Sequence, residues 1–224
     1  MDKSLLYDEL TFKIMRCCLK HNSNCIDVGA HSGVFIREIL KLSPKGTHFA
    51  FEPLPDMYKQ IVNLYKNANV MVYQVALSDT TGESTFYHVV TNSAYSGLKI
   101  RRYDRPNETI QKITVKTDRL DNIVPKDLPI HFMKIDVEGG ELHVFQGGVE
   151  TIRRSRPIIV FECGLGALDY YGKVPDDVYH LLEGECALQI SVMEDWLNGN
   201  NPLSGEQFRD QFYQGINYYF VAHP

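Results

Sequence analysis

Apolar residues at Leu5, Leu6, Leu10, Ile14, Met15 and Cys18 fall near helical spacing and predict an amphipathic leading helix within residues 3–20. The pattern then changes period. An apolar run over 24–28 predicts a first strand, a helix follows from Ser32 to Leu42, and a second strand runs from Gly46 to Glu52. Pro53 and Pro55 set the next helix start near Asp56, since proline suits a first helical turn. Asn69 to Leu77 reads as a third, buried strand. Strands separated by helical stretches of about this length imply right-handed βαβ crossovers, hence an α/β fold with a parallel sheet and helices on both faces.

The middle of the chain breaks this rhythm. Gly82 to Val90 and Ile110 to Val115 alternate like half-exposed strands around the polar, turn-rich Asn92 to Gly97. Residues 80–117 are expected to form an antiparallel flap rather than a domain, with Tyr95, Arg101 and Arg102 as contacts to a substrate. The rhythm resumes with a strand from His131 to Asp136, a helix over 139–154 and a strand from Pro157 to Glu162. Ala187 to Met193 and Asn217 to Ala222 supply two more strands, and the Tyr218-Tyr219-Phe220 run suits a sheet core.

At 224 residues and 44% hydrophobic content, the chain is expected to fold as a single domain over 1–224: a leading helix in 1–22, a core over 24–163, and closing strands and helices over 164–224. A formal net charge of −5 supplies no general field for nucleic acid, and the run Lys99, Arg101, Arg102 and Arg105 reads first as a solvated loop. Cys17, Cys18, Cys25, Cys163 and Cys186 contain no C-x-x-C pair, which argues against a disulfide scaffold or a zinc site and fits a reducing compartment. Charged residues interrupt Met1 to His21, so no signal-peptide core is expected, no run is long enough to span a membrane, and the cytoplasm is the expected location. Oligomeric state is left open.

The chemistry concentrates at strand ends. Cys25-Ile-Asp-Val-Gly-Ala-His-Ser-Gly33 is a strand followed by a glycine turn and a helix start, and Glu52 closes the next strand nineteen residues after Gly33. Gly29 permits the sharp turn and Gly33 permits close helix packing. Glu52 stands where doubly wound folds place the acid that accepts hydrogen bonds from both ribose hydroxyls. Asp27 suits a cofactor carrying an ammonium and a sulfonium, namely S-adenosylmethionine (SAM). A dinucleotide fingerprint would need glycine at that position, which disfavours an NAD-dependent oxidoreductase. A second cluster, Phe132-Met-Lys-Ile-Asp-Val-Glu-Gly-Gly-Glu141, precedes the strand Ile158-Ile-Val-Phe-Glu162. In an open α/β sheet the carboxyl ends of strands line the crevice, so Asp27, Glu52, Asp136 and Glu162 are expected to converge there and to need a shared cation.

At these residues the chain resembles the FkbM family of SAM-dependent methyltransferases. The resemblance rests on Asp27-Val-Gly-Ala-His-Ser-Gly33, Phe51-Glu-Pro-Leu54, Val75-Ala-Leu-Ser-Asp79 with Gly82, Arg119-Leu-Asp-Asn-Ile123, and Lys134-Ile-Asp-Val-Glu-Gly139 with Glu141 and Gly147. It implies a seven-stranded, mostly parallel Rossmann-like sheet and O-methylation of a hydroxyl on a glycan, polyketide or other small metabolite. Carried over by position, it places Asp27, Gly29, Ala30, His31 and Gly33 around the methionine part of SAM, Glu52 and Pro53 by the ribose, Ser78 and Asp79 by adenine, and Asp136 by the sulfonium. Gly140 stands where the family more often has alanine.

His31 also reads as a helix-start residue, Asp79 as a turn acid, and Glu138 and Glu141 as acids favoured at a helix N-terminus. An acceptor alcohol must lose its proton, and Glu138, Glu162 and His143 are the candidate bases. No metal ligand set is assigned. Mg²⁺ assistance is not favoured, because Lys134 or the sulfonium can satisfy the carboxylates. The alternative from another class is a SAM-binding subunit without turnover.

Overall fold

The computed structural model describes residues 3–103, 105 and 107–224. Helix α1 (Lys3–Cys18) leads into β1 (Cys25–Val28), α2 (Val34–Leu42), β2 (His48–Phe51), α3 (Pro55–Tyr65) and β3 (Val70–Tyr73). Next come β4 (Ala76–Leu77), β5 (Gly82–Val89), β6 (Ile110–Asp118), the short α4 (Leu120–Ile123) and β7 (Phe132–Ile135). The chain closes with α5 (Glu141–Gly147), α6 (Val149–Ser155), β8 (Ile158–Glu162), β9 (Gln189–Val192) and β10 (Tyr219–His223), with further helices at Pro175–Tyr179, Met193–Leu197 and Gly205–Tyr213. Among the described residues no helix is long and apolar enough to cross a membrane.

Seven strands form one sheet in the order β3-β2-β1-β7-β8-β10-β9. All neighbours pair in parallel except β10, which runs antiparallel to both β8 and β9. Because side chains alternate along a strand, each strand feeds two cores. Ile26 and Val28, with Phe49 and Phe51, pack beneath Leu142, Val144, Phe145, Ile152, Phe208 and Phe212 on one face. Cys25, Phe132, Val160 and Val221 meet Tyr7, Leu10, Ile14 and Met15 of α1 on the other. Each such fully buried phenylalanine contributes roughly 1.5–3 kcal/mol of transfer free energy, and the two layers hold the central strand ends rigid.

The expected third strand divides. Residues 70–73 form the edge of the sheet, half exposed with Met71 at the surface, while Ala76 and Leu77 leave it to pair with β6. An edge strand has a neighbour on one side only, so nothing holds its far end in the sheet. The expected helix over 139–154 also breaks, between α5 and α6 at Gly147 and Gly148. A side chain at Gly147 would stand 2.0 Å from the Ser78 carbonyl oxygen, so the break lets the loop after β4 approach the helix.

The flap is as expected in outline. β5 and β6 pair antiparallel from Gly82 opposite Thr117 to Val89 opposite Ile110. Phe86 and Val115 anchor this ribbon against Leu54 and Ala76. That attachment carries Asn92 to Arg101 across the carboxyl ends of the main strands.

Candidate active site

The loops after β1 and β2 create a cleft of about 240 Å³, lined by Gly29, Ala30, His31, Glu52, Pro53 and Leu54 on one side and by Asp136, Val137 and Glu138 on another. Ser93, Ala94, Ser96 and Leu98 of the flap roof it, and Val75, Ala76 and Leu77 form an apolar wall. Gly29 is required at the floor. Its φ is +77°, and a Cβ there would lie 1.9 Å from the Asp136 carbonyl oxygen. Gly29 and Ala30 donate backbone N–H bonds to the Phe51 carbonyl at 3.0 and 3.1 Å, which ties the first loop to β2. Gly33 lies behind the lining, where its carbonyl accepts a 2.8 Å bond from the Tyr65 hydroxyl.

Glu52 is 4% exposed. One carboxylate oxygen accepts from His31 N–H and the other from Leu54 N–H, both at 2.8 Å. These bonds fix the carboxylate in orientation and leave each oxygen a free acceptor site. Burial pushes its pKa up to about 7, against the downward pull of the two backbone bonds. His31 takes a left-handed backbone (φ 45°) and its Nε2 lies 2.8 Å from the Ser93 hydroxyl, so the floor loop and the flap tip are joined there. Burial holds the imidazole below its ordinary value.

Under the cleft, Asp27 faces the α1 side of the sheet, fully buried, and neither of its oxygens has a hydrogen-bond partner. Burial lifts its carboxyl to about 6, with Lys134 pulling the other way. Lys134 is register-paired with Asp27 across β1 and β7, donates to Asp136 Oδ2 at 2.8 Å, and lies 4.6 Å from the Phe35 ring. Burial would lower this ammonium's pKa, but Asp136 and Asp27 raise it. Asp136 is correspondingly held below the usual carboxylate range, despite burial, by Lys134 and by the Tyr219 hydroxyl.

Asp136, Glu138 and Glu162 bring one carboxylate oxygen each within 4.8 Å of the others. Glu138 takes a left-handed backbone (φ 61°) and is ion-paired by Arg101 from the flap, whose guanidinium lies 4.8 Å over the Tyr95 ring. Burial and then Asp136 lift Glu138 to about 8. Glu162 is raised well above its ordinary value by burial, Glu138 and Asp136. Glu141 is different. It is buried at the start of α5 and accepts from Val137 and Gly139 N–H at 2.9 and 3.2 Å, so it satisfies a helix N-terminus. Burial lifts it to about 7.

Several residues singled out from the sequence stand apart from this lining. Ser78 donates to Asp79 Oδ1 at 3.1 Å, and the Asp79 carbonyl receives Arg119 at 2.7 Å, so both belong to the packing between β4 and α5. Their neighbours Val75 to Leu77 line the cleft instead. His143 lies on α5, edge-to-face against Tyr171 at 5.7 Å, and is not among the lining residues. Arg101 corrects the solvated-loop reading of its basic run: its side chain is only 14% exposed. Tyr219, read as plain core, brings its hydroxyl beside Asp136 and favours that carboxylate's charged form. No local signal reveals that neighbour, because it depends on β10 inserting beside β8.

A carboxyl with a raised folded-state pKa binds its proton more tightly folded than unfolded. Its stabilising contribution is therefore full below the unfolded value and is lost as pH rises through the folded one. Glu52 and Glu141 near 7 and Glu138 near 8, each raised from 4.5, spread that loss between the ordinary carboxyl value and about pH 8. The melting temperature of the free protein is thus expected to fall from about pH 5 to about pH 8 and to level off above, followed by calorimetry or circular dichroism. A rise across that window would contradict these environments.

An open α/β sheet with one antiparallel strand beside β8, a glycine turn after β1 and a carboxylate closing β2 defines a Rossmann-like fold of the class I methyltransferase type. The chain belongs to the FkbM methyltransferase family: residues 27–185 match the family described as the methyltransferase FkbM domain, beyond the 163 limit read from the motifs. It is 27% identical over 150 residues to the 2-O-methyltransferase NoeI of Sinorhizobium fredii (strain NBRC 101917 / NGR234), an alignment covering 58% of this chain. The match spans 59% of that curated relative's length. The crystal structure of a methyltransferase FkbM from Methylobacillus flagellatus KT superposes with a TM-score of 0.56 at 14% identity, over 92% of this chain and 44% of that one. That likeness is one of fold.

Proposed function

We propose that this chain binds SAM in the cleft and methylates a hydroxyl of a small metabolite or glycan. The carrying observation is Glu52, a buried carboxylate fixed by two backbone N–H bonds at the cleft wall with an acceptor site free on each oxygen. That pair of acceptors fits a ribose diol, whose hydroxyls donate. The unpartnered Asp27 carboxylate beneath the floor and the Asp136 carboxylate beside it favour a cation above them. Val75, Ala76 and Leu77 suit the face of a purine. The printed activity of NoeI, 2-O-methylation, supports oxygen as the atom modified.

SAM, when bound, supplies a methyl group already activated by its sulfonium. The chain's own work is alignment and proton removal. Glu52 and the Gly29 turn would hold the nucleoside, while the flap residues Ser93 to Leu98 close the cleft against water. Glu138 and Glu162, at the ends of adjacent strands, would accept the proton of the acceptor hydroxyl.

Glu52→Ala is expected to weaken SAM and its product S-adenosylhomocysteine (SAH) together by ~1–3 kcal/mol, the usual worth of hydrogen bonds to a charged group. Titration calorimetry measures this. An intact protein with no affinity for SAM and tight affinity for NAD would refute the proposal.

A further inference from the structure

The flap reaches the floor through two polar contacts, and the second falls on the carboxylate trio. The first joins Ser93 to His31 at 2.8 Å. The second is the ion pair of Arg101 with Glu138. Both of its side chains are nearly enclosed, 14% and 13% exposed. The guanidinium is backed by the Tyr95 ring, which stacks on Tyr103 at 5.9 Å between centroids. Glu138 meets it from a left-handed backbone, a conformation that costs a non-glycine residue roughly 1–2 kcal/mol and clusters where function requires it.

The groups facing Glu138 are Asp136 at the end of β7, Glu141 on α5, Glu162 at the end of β8, Arg101, and the hydroxyls of Tyr103, Tyr171 and Tyr219. Lys134 is committed to Asp136. Glu141 is committed to the N-terminus of α5. Glu162 receives no hydrogen bond from a described residue and no direct ion pair. Three clustered carboxylates therefore face two paired cations, which favours a proton on at least one of the three. The geometry selects which.

We propose that Arg101 is a positioning residue for proton removal: delivered by the closed flap, it makes Glu138 rather than Glu162 the carboxyl that gives up its proton first, so that Glu138 takes the acceptor's proton only when the flap is down. This rests on the methyltransferase reading above. In the step, the acceptor O–H bond breaks and its proton passes to Glu138. The new O–CH₃ bond forms as the CH₃–S bond breaks, and that electron pair stays on sulfur, giving SAH. The surroundings of the two acids agree: burial and neighbouring carboxylates raise both, but Arg101 pulls Glu138 down through charge and a hydrogen bond and Glu162 through charge alone.

The test uses the full chain with Arg101→Ala and Arg101→Lys. In the parent, turnover should rise with pH on a limb centred near Glu138's value of about 8. Arg101→Ala should move that limb upward by about one to three pH units, the usual influence of an adjacent opposite charge, with Arg101→Lys restoring most of it and SAM affinity unchanged in both. A lower rate with an unmoved limb, or a limb that survives in Glu138→Gln and vanishes in Glu162→Gln, overturns the assignment.

A second readout needs no turnover. In protein labelled with ¹³C at glutamate Cδ, the Glu138 signal, identified by its loss in Glu138→Gln, should titrate higher in Arg101→Ala than in the parent. An unmoved midpoint refutes the role of Arg101. Absence of SAM binding would refute the methyltransferase reading instead and leave this titration decisive.

Discussion

Gly29→Ala is expected to destabilise the protein by roughly 2–5 kcal/mol, from a left-handed backbone and a steric overlap acting together. The position has φ +77°, and the added Cβ would stand 1.9 Å from the Asp136 carbonyl oxygen and 3.0 Å from its carbonyl carbon. Backbone atoms at the carboxyl end of a central strand cannot retreat without moving β7, so the overlap has no cheap escape. For a chain of this size each kcal/mol lowers the melting temperature by roughly 2–4 °C, so the expected fall is large and easily read by calorimetry. Gly172→Ala is the matched control. It has φ +69° and nothing within 4 Å of the built Cβ, so it isolates the conformational cost. Equal losses at the two positions would show that the close approach of β1 and β7 is wrong.

Lys134→Met should cost about 3–5 kcal/mol at neutral pH, the usual result of removing one partner from a buried ion pair. Methionine keeps much of the stem's packing against Phe35, so the loss isolates the charge. Without the ammonium, the fully buried Asp27 and the partly exposed Asp136 lie close together without their shared cation, and both folded-state values are expected to rise. By linkage the variant should then be most stable in mild acid and lose stability as pH rises through the shifted values. Adding Asp27→Asn to Lys134→Met should recover part of the loss at neutral pH. Chemical denaturation at two pH values measures all of this, and a pH-independent deficit would mean that packing, not charge, is what Lys134 supplies.

Much of the cleft wall formed by Gly29 and Glu52 was legible because its signals are local. The turn at Gly29 lies within a few residues of the strand it terminates, and Glu52 lies one βαβ unit away. The alternation over 82–89 and 110–118 likewise announced an antiparallel ribbon, since a period of two is visible in any strand with one covered face. The acidic ends of β7 and β8 were legible for the same reason: parallel strands put their carboxyl ends on one rim.

Ser78 and Asp79 show the limit of carrying motif residues to a site. They follow the cleft-lining Val75 to Leu77 directly, yet the close packing of Gly147 on Ser78 turns them toward α5. A shift of one or two residues across a bend changes the face presented, and no spacing rule fixes where the bend falls. His143 sits on α5, packed against Tyr171, and the sequence could not show that Tyr171 would take that place.

By itself the sequence determined the α/β class, the order of the strands along the chain, the glycine turn, the carboxylates that end β2, β7 and β8, and the flap's existence, because hydrophobic period and turn chemistry act over a few residues. Tertiary structure alone decided that β10 enters antiparallel between β8 and β9 and brings Tyr219 to Asp136. It decided too that Lys134 pairs with Asp136 at the cleft lining and that Arg101 crosses from the flap to Glu138. Those contacts join side chains from separate elements, and their partners are chosen by which buried charges would otherwise stand alone, a condition that exists only once the chain has packed.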